Sequence, residues 1–486
     1  AESRYLIFWN SATDHVATRP HGAARMAHGV RQSGVLKVHQ ALHGYADGHR
    51  QLAASVKLQS RDIKTMLVLS DISGPGARVE ETGYLTGYPL PESKFYVLAR
   101  TWTAPELPRP GCVWTHTILI DFADLAALDE PALLLTLFRR PTIGNFADYG
   151  TDLSVPLAGP TPGLSAEASD FARRLLAGLY GKPQGRVIAA RPTELDVDPV
   201  AMALWGQQWP RLRRAFRFCT FSAADRSIEG NVFDLQILPS LDRSVRLRFP
   251  DGVDVGELVL AADAWLEHAV SDLTRSDRRG LRSFLRRIGG DVDAGREAFA
   301  PLCRLHLLLE ELSTDPRAID RAVLLLSDEL VSAQARSARG MVATVALDKL
   351  DQLESAALDF LDQNLEFAEP EAVSRNSARL GREIWKRRPE RFAEMLEGND
   401  LQQTVSKSGF TALAIDELID GIVRLPSLAA VALSHRPELV SRHEFWSADI
   451  APVDAAFAAL RGGSDNLRTL ALRAAIAARR ESARAR

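Results

Sequence analysis

The pattern of apolar and polar positions divides the chain in two. From Val35 to Ile120, apolar residues fall in short runs bounded by Gly, Pro and Asp, the signature of strands joined by turns. Val35–Tyr45 reads as a strand, Ala46, Asp47 and Gly48 supply turn chemistry, and 50–58 reads as the hairpin partner. The spacing predicts a helix over 61–69. The Gly- and Pro-dense stretch 70–91 reads as loop, and 95–102 and 112–120 as two further strands.

The next stretch mixes both periods. A helix is predicted over 125–138, with Pro131 near its first turn, followed by a linker or long loop over 139–163. An amphipathic helix over 166–180 is closed by Gly181; a strand at 186–190 and a helix at 204–214 follow. Strands are then predicted at 216–222, 233–239 and 244–249. In the last, Val245, Leu247 and Phe249 alternate with Arg246 and Arg248, as in a half-buried antiparallel strand.

Beyond about residue 255, helical periodicity takes over. Asp315 reads as an N-cap ahead of Pro316, and Pro370, Pro389, Pro426, Pro437 and Pro452 open further segments. Gly398 and Gly462–Gly463 read as stops. Arg-Pro-Glu occurs at 388–390 and again at 436–438, an offset near the armadillo/HEAT range, so an α-solenoid stands beside an irregular bundle.

The predicted class is α+β: a mostly antiparallel sheet with helices in the N-terminal half, and an all-α bundle or solenoid in the C-terminal half. Residues 1–33 read as an extension outside the core fold. Residues 34–150 form an α+β domain, 151–260 a second α+β portion packed on it, and 261–486 a helical domain.

Composition narrows the function classes. The chain has 486 residues, with 59 basic against 62 acidic side chains and a net charge of −3, which argues against a dedicated nucleic-acid binder. Cys112, Cys219 and Cys303 lie too far apart in sequence for a CxxC pair or a disulfide scaffold. No apolar run approaches the ~18 residues of a membrane span. YLIFW near the start lacks a basic flank and a cleavage site, so a cytoplasmic chain without membrane contact is expected. Walker, GxGxxG, GxSxG and HExxH patterns are absent from the sequence, and no cofactor or metal is expected.

Three constellations remain. In HQALHGYADGHR, strand geometry puts His39, Ala41, His43 and Tyr45 on one side, with Asp47, His49 and Arg50 at the turn. Imidazoles beside a carboxylate suit metal binding or proton shuttling; the alternative is a hairpin tip held by Asp47, with its histidines satisfied by backbone. In CVWTHTILI, Cys112, Trp114 and His116 share a strand face. Positions i and i+4 there are ~13 Å apart, too far for a Cys–His dyad. Either residue could instead meet His43 or Arg100 from another strand. In TRSDRRGLRSFLRRIGG, Arg275, Arg278, Arg279, Arg282 and Arg286 recur at helical spacing opposite Leu281, Phe284, Leu285 and Ile288. That is either an arginine stripe for phosphates or an acidic partner, or a solvated face.

The run VHQALHGYADGHRQLAASVKL, LSDISG, GYLTGYPLP, FYVLARTW and PRPGCVWTHTILI, followed by FRFCTFSAADRS and FDLQILP, resembles the type 1 N-terminal domain of bacterial GTPase-associated proteins over roughly 36–240. The resemblance implies a component of GTPase-centred conflict systems directed at phages, a proposed adaptor, with the neighbouring GTPase and other components of the system as partners. It carries no catalytic set. Among the matching residues, Gly44, Gly48 and Gly87 suit backbone geometry, and the large aromatics suit a core or an interface. The expected binding residues are Tyr45, Arg50, Tyr84, Tyr88, Trp102 and Trp114 together with the arginine stripe. Two alternatives stand beside the adaptor. One is an enzyme with a pocket of His43, Asp47, His49, Arg100 and His116; the other is nucleic-acid sensing through the arginine-rich helix.

Overall fold

The computed structural model describes residues 34–484 apart from 47, 75–78, 108, 158, 160–162, 229–230, 276–279, 293–294, 313, 331–334 and 448–451. The predicted extension 1–33 and the site candidates Asp47, Arg278 and Arg279 therefore lie outside the described residues.

The fold is α+β, a sheet-centred N-terminal half followed by helices. The strands are β1 (Val35–Tyr45), β2 (His49–Ala54), β3 (Tyr84–Leu90), β4 (Phe95–Thr103), β5 (Val113–Asp121), β6 (Leu153–Pro156), β7 (Arg186–Ala190), β8 (Phe218–Cys219), β9 (Leu235–Leu238) and β10 (Gly252–Asp254). They form one ten-stranded sheet in the order β10-β7-β9-β8-β3-β4-β5-β1-β2, with β6 also paired to β1. β1 through β6 pair antiparallel, as does β3 with β8, whereas β7, β8, β9 and β10 pair parallel with one another. On one side β1 is paired by β6 at its start and by β2 at its end. In the β1–β2 register Leu42 opposes Ala53 and His43 opposes Gln51, so Leu52 is the extra residue of a bulge.

Alternation along the strands builds two cores. Leu36, Val38, Leu98, Ile118 and Ile120 point to the face covered by the long helix Ala166–Gly181 and by Val197–Gln207. Ala41, Val97, Ala99 and Leu119 point to the opposite face, beneath Met66 and Leu69 of helix α1 (Ser60–Leu69). The remaining helices of the sheet-centred half are α2 (Ala166–Gly181), α3 (Val197–Gln207), α4 (Pro210–Ala215) and the single turn α5 (Arg243–Arg246).

The C-terminal half begins with α6 (Ala264–Thr274), α7 (Leu281–Ile288), α8 (Phe299–Glu311), α9 (Ala318–Asp328), α10 (Arg336–Asp348) and α11 (Ser355–Asn364). It continues with α12 (Pro370–Arg387), α13 (Pro389–Leu396), α14 (Asp400–Ala412), α15 (Ile415–Arg424), α16 (Ala429–His435), α17 (His443–Ser447), α18 (Val453–Gly462) and α19 (Asp465–Arg484). Helices close in sequence pack on one another, and their core is continuous with the larger core of the sheet. α12 and α14 cross at Gly381 and Gly409. A Cβ at Gly381 would lie 2.4 Å from the Val405 carbonyl oxygen, so glycine permits the close approach. Trp385 is fully buried beside them and donates its indole N–H to the Glu417 carbonyl at 2.8 Å. The repeated Arg-Pro-Glu does the same local job twice: Pro389 and Pro437 each open a helical segment directly after another one ends.

Several predicted elements differ. The stretch 70–91 is not all loop, since it contains β3. Gly87 is there because the Phe218 ring occupies the space of a side chain, and Pro89 lies past the two positions where β8 pairs. The helix predicted over 125–138 is a 3₁₀ turn at Pro131–Leu137, after Asp121 and Glu130 each capture a nearby backbone N–H. The predicted linker 139–163 contains β6 and docks on the sheet. The helix predicted over 204–214 is interrupted before Pro210, giving α3 and α4. The alternating 244–249 segment is a helical turn, because Asp242 accepts from the N–H groups of Ser244 and Val245 at 2.8 and 2.9 Å. Leu247 is then 76% exposed, while Phe249 is buried. Asp315 accepts from Arg317 N–H one turn ahead of α9 rather than capping the helix itself.

Candidate functional site

Register decides which side chains meet. Leu42 and Arg100 both lie opposite His116, whereas His43 and Thr101 both lie opposite Thr115. Cross-strand partners project to the same face. His116 and Arg100 therefore share one face, and His43 shares the other with Thr101 and Thr115. Among the described residues of the expected pocket, His43 does not converge with His116 and Arg100, which corrects that reading. The alternation of strands forbids it, and Asp47 lies outside the described residues.

On its face of the sheet, His116 uses both ring nitrogens. Its Nδ1 accepts the Arg139 backbone N–H at 3.1 Å, so Nε2 carries the proton and donates to Gln40 Oε1 at 2.9 Å. The Gln40 amide donates in turn to the carbonyls of Asp148 and Thr151 at 2.8 and 2.6 Å. The chain 139–151 is thereby fastened to the sheet. Tyr149 and Phe138 pack edge-on against the imidazole. Burial lowers its pKa to about 3, helped by Arg139, and keeps it neutral. Arg100 donates to Asp198 at 2.7 Å and lies over the Phe138 ring. Burial pushes the Asp198 pKa up to about 6 against the pull of Arg100. Trp114 donates to Glu106 at 2.6 Å, and Arg140 donates to the same carboxylate at 2.7 Å.

The opposite face holds a second polar frame around residues 70–74, the segment after α1. His43 is fully buried, and neither ring nitrogen has a hydrogen-bond partner. Burial, followed by the nearby His49, lowers its pKa to about 3. The His49 ring lies 6.3 Å from His43 and 5.0 Å from Tyr45. His49 Nε2 is 2.9 Å from the Ser70 hydroxyl, which donates to the Leu67 carbonyl; Nε2 is then the donor to Ser70. His49 Nδ1 has no partner, so no carboxylate orients a Ser70–His49 dyad, and Ser70 is itself buried. Tyr45 donates to Asp71 at 3.2 Å, and burial and that carboxylate raise its pKa. Thr115 donates to the Ser70 carbonyl at 2.6 Å and pairs with Thr101 at 2.9 Å. Arg226 donates to the carbonyls of Leu69, Asp71 and Ile72 at 2.7, 3.3 and 3.1 Å.

Arg226 and Asp71 were not singled out from the sequence. Asp71 sits in LSDISG and Arg226 in FRFCTFSAADRS, both within the resembling segments, but only the fold joins residues 155 apart. What the frame does chemically is hold backbone: it fixes the end of α1 against the sheet and exposes the other side of that helix. There Ile63, Leu67 and Val68 are 41%, 37% and 54% exposed, and Lys57, Arg61 and Lys64 are exposed around them.

The expected binding residues separate by burial. Tyr84, Tyr88, Trp102 and Trp114 are core side chains, which corrects their reading as interface anchors: the sheet is covered on both faces. Tyr45 is half-buried and Arg50 exposed. The arginine stripe is also corrected. Arg282 donates to the Asp272 carbonyl at 2.7 Å and lies 3.0 Å from its carboxylate. Arg286 pairs with Asp129 and donates to its carbonyl at 2.9 Å. Both point inward, bolting α7 to its neighbours, and Arg275 gives its carbonyl to Arg282. Phosphates therefore do not meet a continuous row of free guanidinium groups. Cys112, Cys219 and Cys303 are buried free thiols. No helix among the described residues is long and apolar enough to cross a membrane.

No curated protein matches the chain. The family comparison bears out the resemblance over the sheet-forming segment that holds His43, Arg100 and His116. Residues 37–138, from β1 through the 3₁₀ turn after β5, match the family model of GTPase-associated protein 1, N-terminal domain type 1.

Proposed function

We propose that this chain is a non-catalytic adaptor in a GTPase-centred bacterial conflict system, and that it docks the GTPase through the exposed face of α1. The observation that carries this reading is the location of the Ile63–Leu67–Val68 patch inside the matched segment 37–138. The family's own description names association with a GTPase, and the patch is the part of α1 that the internal frame leaves outward. An apolar centre with a basic rim suits a partner surface that is apolar at its centre and acidic at its edge. The helical half supplies a second interaction surface for other components of the system.

The buried frames support docking over catalysis. His43 and Ser70 are closed off from solvent, and His116 is saturated by Gln40 and Arg139. Co-purification of the full chain with the GTPase encoded beside it, in GDP and in a non-hydrolysable GTP analogue, tests the proposal. Capture that depends on the nucleotide is expected. Absence of capture in both states removes the reading.

A further inference from the structure

α6 and α8 pack side by side where the helical half joins the sheet. Across their contact, His268 Nε2 lies 2.8 Å from His306 Nδ1. Glu310, one turn beyond His306 on α8, places a carboxylate oxygen 3.9 Å from His268 Nε2 and 3.8 Å from His306 Nδ1. Among the described residues this is the one group of His, Cys, Asp and Glu side chains gathered closely enough to hold a cation. His306 is buried and His268 nearly so, while Glu310 stands at the rim. One side of the group is thus walled by protein and the other opens to solvent through the carboxylate.

We propose that His268, His306 and Glu310 form a site for a divalent transition cation, with Zn²⁺ as the fitting ion. Two imidazoles and one carboxylate are a donor set that Zn²⁺ takes, with a fourth position left for water. Zn–N bonds of ~2.05 Å at a tetrahedral angle separate two nitrogens by about 3.3 Å. The two rings open by about half an ångström, and Glu310 swings inward by a similar amount. Both motions are side-chain adjustments; the helix axes stay in place. Without a metal, one ring donates a proton to the other. With it, His268 protonated on Nδ1 and His306 on Nε2 both offer lone pairs to the ion, so one ring changes tautomer.

Burial favours the neutral ligand form. It lowers the His306 pKa to about 3, with His268 adding to the effect, and lowers that of His268 as well. Phe284 of α7 packs edge-on to His306 and walls the inner side. The bound ion would tie α6 to α8 at the root of the helical half and stiffen the platform that the helices build beyond it.

The test uses the full chain, stripped with a chelator and then titrated with Zn²⁺ by calorimetry, with Co²⁺ as a spectroscopic probe. One equivalent of Zn²⁺ is expected, with tetrahedral Co²⁺ absorption and a rise in Tm on loading. His268→Ala is expected to remove that equivalent, and Glu310→Gln to weaken it at least tenfold. Neither variant removes a fully buried side chain, and circular dichroism confirms that they fold. His443→Ala is the control, because His443 also lies near glutamates, Glu444 and Glu481. Wild-type protein that binds no Zn²⁺ would overturn the proposal. So would loss of the equivalent in His443→Ala with retention in His268→Ala.

Discussion

His43 and His116 sit on adjacent strands, one register position apart, and face opposite sides of the sheet. Both are buried and both are held neutral, yet their surroundings differ. His116 uses both ring nitrogens in a relay that ends on two loop carbonyls, and His43 uses neither. One imidazole is a structural joint and the other is a polar group without a partner. Their consequences for stability are therefore opposite.

Replacing His116 with Ala leaves the buried Gln40 side-chain carbonyl and the part-buried Arg139 N–H without this partner and opens a cavity beneath Tyr149 and Phe138. The expected cost is about 2–4 kcal/mol. Urea unfolding of the variant checks it, and the segment 139–151 should lose hydrogen-exchange protection first.

Replacing His43 with Leu removes two unsatisfied nitrogens at similar volume, so stability at pH 7 should stay within about 1 kcal/mol of the parent or rise. The pH profile should change more. A histidine whose folded pKa is about 3, against 6.5 unfolded, contributes stability above pH 6.5 that is lost as the pH falls and the unfolded chain takes the proton. His43 and His116 each contribute up to about 1.4 kcal/mol per pH unit in that window. Asp198 has the opposite sign. Its folded pKa of about 6 exceeds 3.8, so its contribution is present at low pH and is lost as the pH rises through about 6. The net loss from these three groups between about pH 6 and 4 is about 1.4 kcal/mol per unit, and His43→Leu should nearly abolish it. Urea midpoints of the two proteins across that range decide the matter; parallel curves would contradict the assignment.

Arg213 is fully buried, and its guanidinium donates to the carbonyls of Leu125, Leu128, Trp205, Gly206 and Gln208. Burial lowers its pKa to about 9. Lysine has three donors on one atom and cannot span that ring of acceptors. Arg213→Lys should cost about 3–5 kcal/mol. Arg214→Lys, exposed and lying over Phe122, should cost no more than about 1 kcal/mol. Thermal unfolding of both variants separates a buried hub from a solvated basic run.

Gly381→Ala tests the helical half. The added methyl meets backbone atoms of α14, which cannot rotate away. A loss of about 2 kcal/mol or more is expected, from overpacking at a helix crossing. Gly462→Ala, in open space, should be near neutral.

Much of this was legible in the sequence where one local rule sufficed. β1, β4, β5, β7, α1 and α2 follow from alternation or helical period with turn residues at their ends. β3 was hidden because Gly87 and Pro89 read as punctuation; the reasons for both lie on β8, about 130 residues away. The 244–249 alternation was real but lost to Asp242 capping. The site was legible as residue types, through the LHGYADGH, ARTW and GCVWTH motifs. Its division between two faces required the register, and Asp71, Arg213 and Arg226 required the tertiary fold. The arginine stripe had the right spacing, but Asp272 and Asp129 turned Arg282 and Arg286 inward. His268 and His306, on different helices, gave no local signal beyond the i, i+4 spacing of His306 and Glu310.

The central claim is that the outward face of α1 docks the GTPase, and one measurement addresses it most directly. The affinity of the full chain for the neighbouring GTPase, loaded with a non-hydrolysable GTP analogue, is compared with that of a Leu67→Glu/Val68→Glu double variant of unchanged Tm. Both residues are exposed, so the fold should tolerate the change. The account predicts binding by the parent chain and at least a hundredfold weaker binding by the variant. Equal binding by the two proteins would contradict it.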